Sequence, residues 1–220
     1  MLFLHGYLSS KEAFTAQINY FSRFYKVTAI DFLGFGQSEP LSTPFSVGDY
    51  AAWLKQVLLA LGLDSPNVIA HSFGCRVAVK AAAEDNGLFQ KILLTGPAGI
   101  ILKRGLGYKI KVKAYRLTKK VAPKFAEKKF GSAEYKTLSP LMKESYKKIV
   151  NEDLRAHAAQ VKNPVLIVEG ENDCVTTLAE AEIYQKSFQR ARLVQMDGGH
   201  FAFAEHPLAF NLIAEEFFYE

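Results

Sequence analysis

Ser72 is flanked, two positions away on either side, by residues with almost no side chain. In Val68-Ile69-Ala70-His71-Ser72-Phe73-Gly74 a strand runs into the serine and a helix leaves it. A turn that sharp strains its central residue and leaves no room for bulk two positions away, so Ala70 and Gly74 suit it. Ala70 stands where the usual G-x-S-x-G pattern has its first glycine. The turn would lift the hydroxyl above the strand end, at a helix N-terminus whose amides stabilise an anion. A serine that merely caps the helix is the competing reading.

A serine hydroxyl needs a base, and the base needs an orienting group. After the apolar run Val165–Glu169 comes Gly170-Glu171-Asn172-Asp173, and after the run ending at Met196 comes Asp197-Gly198-Gly199-His200. This gives Ser72, Asp173 and His200 in the chain order Ser, Asp, His expected of a strand-to-helix serine. Acid and base both follow strand ends, where open α/β sheets place their ligand sites. Glu171 is the stand-in acid. His206, His157 and His71 are weaker bases, the last pointing away from Ser72 by strand alternation. Donors for a developing oxyanion are the main-chain N–H of Phe73, next to the serine, and that of Tyr7, in the loop His5-Gly6-Tyr7. Gly6 would let the substrate approach. Arg76, one helical turn beyond Ser72, is read as pairing with carboxylates of the body, with a substrate carboxylate as the alternative. Cys75 and Cys174 are read as small buried side chains.

The elements that must hold these residues alternate between strand and helix. Strands are expected at Met1–Leu4, Val27–Ile30, Asn67–Ala70, Ile92–Thr95, Val165–Glu169 and Arg192–Met196. Their Val, Ile and Leu content suits strands covered on both faces. Helices are expected over Lys11–Phe21, Val47–Leu63, Ser72–Gly87, Thr177–Phe188 and Pro207–Phe218. The fold class is α/β: a mostly parallel, doubly wound sheet of about six strands flanked by helices, with a helical cap inserted. Residues 1–100 and 151–220 form the core and 101–150 the cap. Within the cap, Tyr108, Tyr115 and Met142 are the expected pocket residues.

Charge separates the two parts. The 220 residues carry +5, but 100–150 hold 15 Lys/Arg against 3 Asp/Glu, while the rest sums to −7. A basic cap could steer anionic substrates or rest on an anionic membrane; a solvated helix surface is the plain alternative. The apolar fraction of 49% fits one globular domain. No apolar run reaches the roughly 18 residues of a membrane span, and Met1-Leu2-Phe3-Leu4-His5-Gly6 reads as folded sequence, so no signal peptide is expected. Two cysteines make no disulfide framework, which sets a cytoplasmic expectation. No metal cluster, cofactor motif or nucleic-acid motif stands out.

Taken together, His5-Gly6, Asp31-Phe32-Leu33-Gly34-Phe35-Gly36-Gln37-Ser38, the Ser72 turn, Gly170-Glu171-Asn172-Asp173 and Gly198-Gly199-His200-Phe201 resemble the α/β-hydrolase superfamily. The likeness is to its serine-nucleophile branch of carboxylesterases and proline iminopeptidases. It implies cofactor-free hydrolysis of a small ester through an acyl-enzyme. The alternatives are a carbon–carbon bond hydrolase or lyase using the same triad, and a non-catalytic binding protein on the same scaffold. Asp31 is then a structural residue of a turn. Some members carry the acid after the strand before the cap, but Leu94-Thr95-Gly96 offers no carboxylate there. Members also have strands before His-Gly, so either the chain is truncated or the sheet is short. A short sheet leaves Val27–Ile30 at an edge, covered by a loop or pairing with a second copy in a homodimer.

Overall fold

Six short strands of the chain pair side by side, and a computed structural model describes residues 1–102 and 138–220 of it. They are β1 (Leu2–Leu4), β2 (Thr28–Ile30), β3 (Val68–His71), β4 (Ile92–Thr95), β5 (Val165–Gly170) and β6 (Ala191–Met196). The sheet order is β2-β1-β3-β4-β5-β6, and every neighbouring pair is parallel. Parallel neighbours need long crossovers, which helices provide. These are α1 (Thr15–Phe21), α2 (Val47–Ala60), α3 (Phe73–Glu84), α4 (Pro140–Val150), α5 (Arg155–Ala158) and α6 (Leu178–Ser187), with α7 (Ala202–Glu205) and α8 (Pro207–Tyr219) after β6.

Strand alternation sorts the core into two layers. Leu2, Leu4, Val68, Ala70, Ile92 and Leu94 face one cluster with Tyr50, Leu54 and Val77. Phe3, Ile69, Leu93 and Leu166 face the other, with Phe14, Phe21, Phe210 and Phe217. The chain order steps outward from β1 to β2 and then returns through β3, so the winding of the chain reverses between β1 and β3 while the strands stay parallel. The loops after those two strands open on the crevice where open α/β sheets bind ligands.

The expected α/β architecture is present, with local differences at helix ends. Lys11–Phe21 divides into a 3₁₀ turn over Lys11–Phe14 and α1; the Lys11 N–H is taken by Asp31 Oδ1 at 2.7 Å. Helix α2 begins with a capping box between Ser46 and Asp49. It ends at Ala60 and not Leu63, because Gly62 turns left-handed (φ 62°) and the N–H of Leu63 bonds back to Leu58 O. Helix α3 stops at Glu84, where Asp85 is extended. Strand β2 lies at a sheet edge and is half-buried. Tyr108, Tyr115 and the centre of the expected cap fall outside the described residues. Among the described residues, no helix is long and apolar enough to cross a membrane.

Candidate active site

Ser72 sits between β3 and α3 with φ 49° and ψ −106°, a backbone conformation that non-glycine residues rarely hold. Two contacts keep it there. Its N–H donates to Thr95 O of β4 at 3.1 Å. Gly74 lets α3 pass against the end of β1: a Cβ at that position would lie 2.8 Å from His5 O and collide with Leu4 O. Phe73 is the first residue of α3, so its N–H belongs to the helix end that has no intrahelical partner.

Loops after β5 and β6 bring two more groups to the serine. The imidazole Nε2 of His200 is 3.0 Å from Ser72 Oγ, and its Nδ1 is 2.7 Å from Asp173 Oδ2. Asp173 is fully surrounded by donors. Its Oδ1 accepts the N–H groups of Val175 (2.6 Å) and Thr176 (3.0 Å), while Oδ2 also accepts the Thr176 hydroxyl (2.8 Å). Burial alone would raise this carboxyl, but the His200 hydrogen bond, with the two amides, holds it down at about 2. It is therefore ionised at neutral pH and a fixed acceptor for Nδ1–H.

Behind the trio lie two buried ionisable groups. Burial pushes His71 down to about 3, so its ring is neutral. That ring lies 4.7 Å from the His200 ring, tilted by 52°, and its Nε2 lies 2.9 Å from His200 O, so it holds the histidine loop by its main chain. Strand alternation turns the His71 ring toward Phe203, as expected, and the loop after β6 carries His200 across it at the edge of the cavity. Glu169, at the end of β5, is fully buried. Burial first, then the Asp173 carboxylate, push it up to about 9, so it is a neutral acid at pH 7.

A cavity of about 590 Å³ opens above Ser72. Its wall includes Gly6, Tyr7, Phe73 and His200 from the sheet side, and Leu138, Tyr146 and Ile149 from around α4. Gly6 packs against His71. Leu8, next to Tyr7, has φ 56°, a second strained non-glycine residue beside the crevice. Met142 is placed elsewhere than the pocket expectation: it is buried against Gly34 and its carbonyl accepts the Tyr7 hydroxyl at 3.1 Å.

Other expectations are corrected. Arg76 meets no body carboxylate in an ion pair among the described residues. Its Nη1 donates to the carbonyls of Ile149 (2.9 Å) and Glu152 (2.8 Å) at the end of α4, because Glu152 is taken by Lys80 and Asp153 by Arg155. Cys75 is buried, but Cys174 is exposed, since its loop bulges outward while Asp173 turns in. Glu171 is exposed, its N–H spent on Met196 O. His206 is exposed beside Asp197, and His157 contacts Lys80. Asp31 takes Lys11 Nζ and the N–H groups of Lys11 and Gln37, a turn-holding role. Thr176, which touches both Asp173 and His200, was not foreseen. Its one sequence signal is the short Asp-x-x-Thr spacing, which favours a side chain bonding the backbone just ahead.

The alpha/beta hydrolase fold family model matches residues 1–130. The AB hydrolase superfamily protein YisY of Bacillus subtilis is 27% identical, over 99% of this chain and 90% of its own length. Probable lysophospholipase BODYGUARD 3 of Arabidopsis thaliana is 31% identical over 56% of this chain, which spans only 25% of that protein. The esterase EaEST from Exiguobacterium antarcticum superposes with a TM-score of 0.78 at 21% identity, covering 100% of this chain and 91% of that one. At that identity the likeness is one of fold.

Proposed function

Because this chain belongs to the alpha/beta hydrolase fold family, we propose that it is a serine hydrolase that cleaves a small ester through an acyl-enzyme, with Ser72 as nucleophile, His200 as base and Asp173 as orienting acid. The observation that carries this reading is the unbroken line Ser72 Oγ, His200 Nε2, His200 Nδ1, Asp173 Oδ2, with links of 3.0 and 2.7 Å.

In the scheme, His200 Nε2 accepts the Ser72 proton as Oγ attacks the ester carbonyl. The imidazolium that forms is held by Asp173, ionised at neutral pH. The carbonyl oxygen becomes an oxyanion facing the N–H groups of Phe73 and Tyr7. Support for these donors is positional: both residues line the cavity, one at the start of α3 and one in the loop after β1. His200 then returns the proton to the alcohol oxygen, which leaves. Water attacks the Ser72 acyl group with the same base, giving the acid product and free serine. The scheme uses no metal and no cofactor.

Residues 101–150 act in this reading as a cap that closes the substrate pocket. The presence of Ile101, Leu138, Tyr146 and Ile149 on the cavity wall supports it. Turnover of short p-nitrophenyl esters by the purified protein tests the function. Hydrolysis that Ser72→Ala abolishes is expected; equal rates in the two proteins would refute the reading.

A further inference from the structure

Thr176 follows Asp173 by three residues, is only 7% exposed and reaches the cavity wall. Its Oγ1 lies 2.8 Å from Asp173 Oδ2 and 3.2 Å from His200 Nδ1. Since that same Oδ2 is 2.7 Å from Nδ1, the three atoms form a closed triangle. A hydroxyl has one proton to give, and an ionised carboxylate only accepts. The threonine proton therefore goes to Oδ2, and the hydroxyl oxygen turns a lone pair toward Nδ1. Both atoms facing Nδ1 are then acceptors. That arrangement keeps the imidazole proton on Nδ1 and leaves the Nε2 lone pair for Ser72.

We propose that Thr176 is a positioning residue, whose hydroxyl fixes the rotamer of Asp173 and the tautomer and tilt of His200. The inference rests on the reading of Ser72 as the nucleophile. Among the described residues, the main-chain donors to Asp173, the N–H groups of Val175 and Thr176, both reach Oδ1. On Oδ2, the oxygen that meets the histidine, the Thr176 hydroxyl is the other donor found among the described residues. Without it Oδ2 answers to His200 alone, and the histidine loses its second acceptor. Thr176 touches the acid and the base and acts through them.

The test is the saturation kinetics of Ser72 phosphonylation by a fluorophosphonate, which needs no knowledge of the natural substrate. Thr176→Val keeps the side-chain shape and removes the hydroxyl; Thr176→Ser keeps the hydroxyl. The valine variant is expected to lower the maximal labelling rate by about 10- to 100-fold, as for a lost hydrogen bond to a charged group, with the half-saturating probe concentration unchanged. The serine variant is expected to recover most of the rate. A valine variant as fast as wild type, or a serine variant as slow as valine, overturns the positioning role. Should the valine variant not fold, comparing Thr176→Ala with Thr176→Ser reads the same hydroxyl, and equal rates overturn it. Ser72→Ala runs in parallel: wild-type protein that is not labelled at Ser72 overturns the nucleophile reading and this inference with it, whereas labelled wild type with an indifferent valine variant overturns this inference alone.

Discussion

Gly170 and Gly199 meet backbone to backbone: a Cβ on Gly170 would collide with the Gly199 carbonyl oxygen and come within 2.7 Å of Gly198 O. Around this contact the N–H of Glu171 bonds to Met196 O and that of Asn172 to Gly198 O, both at 2.9 Å. The loop that carries Asp173 and the loop that carries His200 are thereby joined. Gly170→Ala must push them apart, and a shift near 1 Å in a proton-transfer line costs on the order of 10²-fold in rate. Ester turnover by a folded Gly170→Ala protein is expected to fall by about that factor, with a lowered unfolding midpoint. Unchanged turnover would mean the two loops adjust independently.

In the proposed scheme Asp173 holds the tautomer of His200, so Asp173→Asn should cost about 10⁴-fold in kcat while the protein stays folded. Circular dichroism and ester kinetics together check this. The same carboxyl links folding to acid. Its pKa is depressed to about 2 from 3.8, so the stability it adds is complete above pH 4 and is lost as pH falls toward 2. The stability of Asp173→Asn should accordingly fall less steeply over that window.

Glu169 has the opposite sign. The folded protein keeps its proton up to about pH 9, whereas the unfolded chain releases it near 4.5. Between those values the unfolded state binds fewer protons, so rising pH favours unfolding by up to about 1.4 kcal/mol per pH unit from this group. Glu169→Gln cannot ionise and should unfold later than wild type at pH 8, the gap closing toward pH 5. Urea unfolding across that range measures it, and parallel curves would contradict the assignment.

Arg76 ties α3 to the end of α4, donating to the carbonyl of Ile149, which also accepts the Asn151 N–H, and to that of Glu152 just past the helix. A cation there also meets the negative end of the helix dipole. Arg76→Met takes that donor from both, but Ile149 O keeps its main-chain partner, so the cost of about 1–3 kcal/mol falls on Glu152 O if it stays buried. Amide exchange over residues 143–150 should then speed up by roughly tenfold or more, while amides of β3 and β4 change little. Equal exchange in both proteins would show that α4 is held by its apolar face alone.

The sequence made the sheet and the Ser72 turn legible because both rest on local signals. Apolar runs of four to six residues mark buried parallel strands, and Ala70 and Gly74 mark the crowded turn. Asp173 and His200 could be read because each follows such a run within a few residues. What escaped depends on which loops meet. Nothing in the sequence around Thr176 says that the His200 loop will arrive beside it. His71 alternates away from Ser72, and nothing in its own strand says that the loop after β6 will lay His200 against its ring. Arg76 looked for a carboxylate, but the carboxylates near it were already paired, and helix-end carbonyls took their place. Helices α2 and α3 stop short of Leu63 and Gly87, where a left-handed glycine and an extended aspartate end them.

The acyl-enzyme is the central claim, and intact-protein and peptide mass spectrometry of the protein quenched during p-nitrophenyl ester turnover tests it most directly. One acyl group per chain is expected, located on the peptide that contains Ser72 and absent from Ser72→Ala. Turnover with no such adduct that persists in Ser72→Ala, or an acyl group carried by the exposed Cys174 in its place, would contradict it.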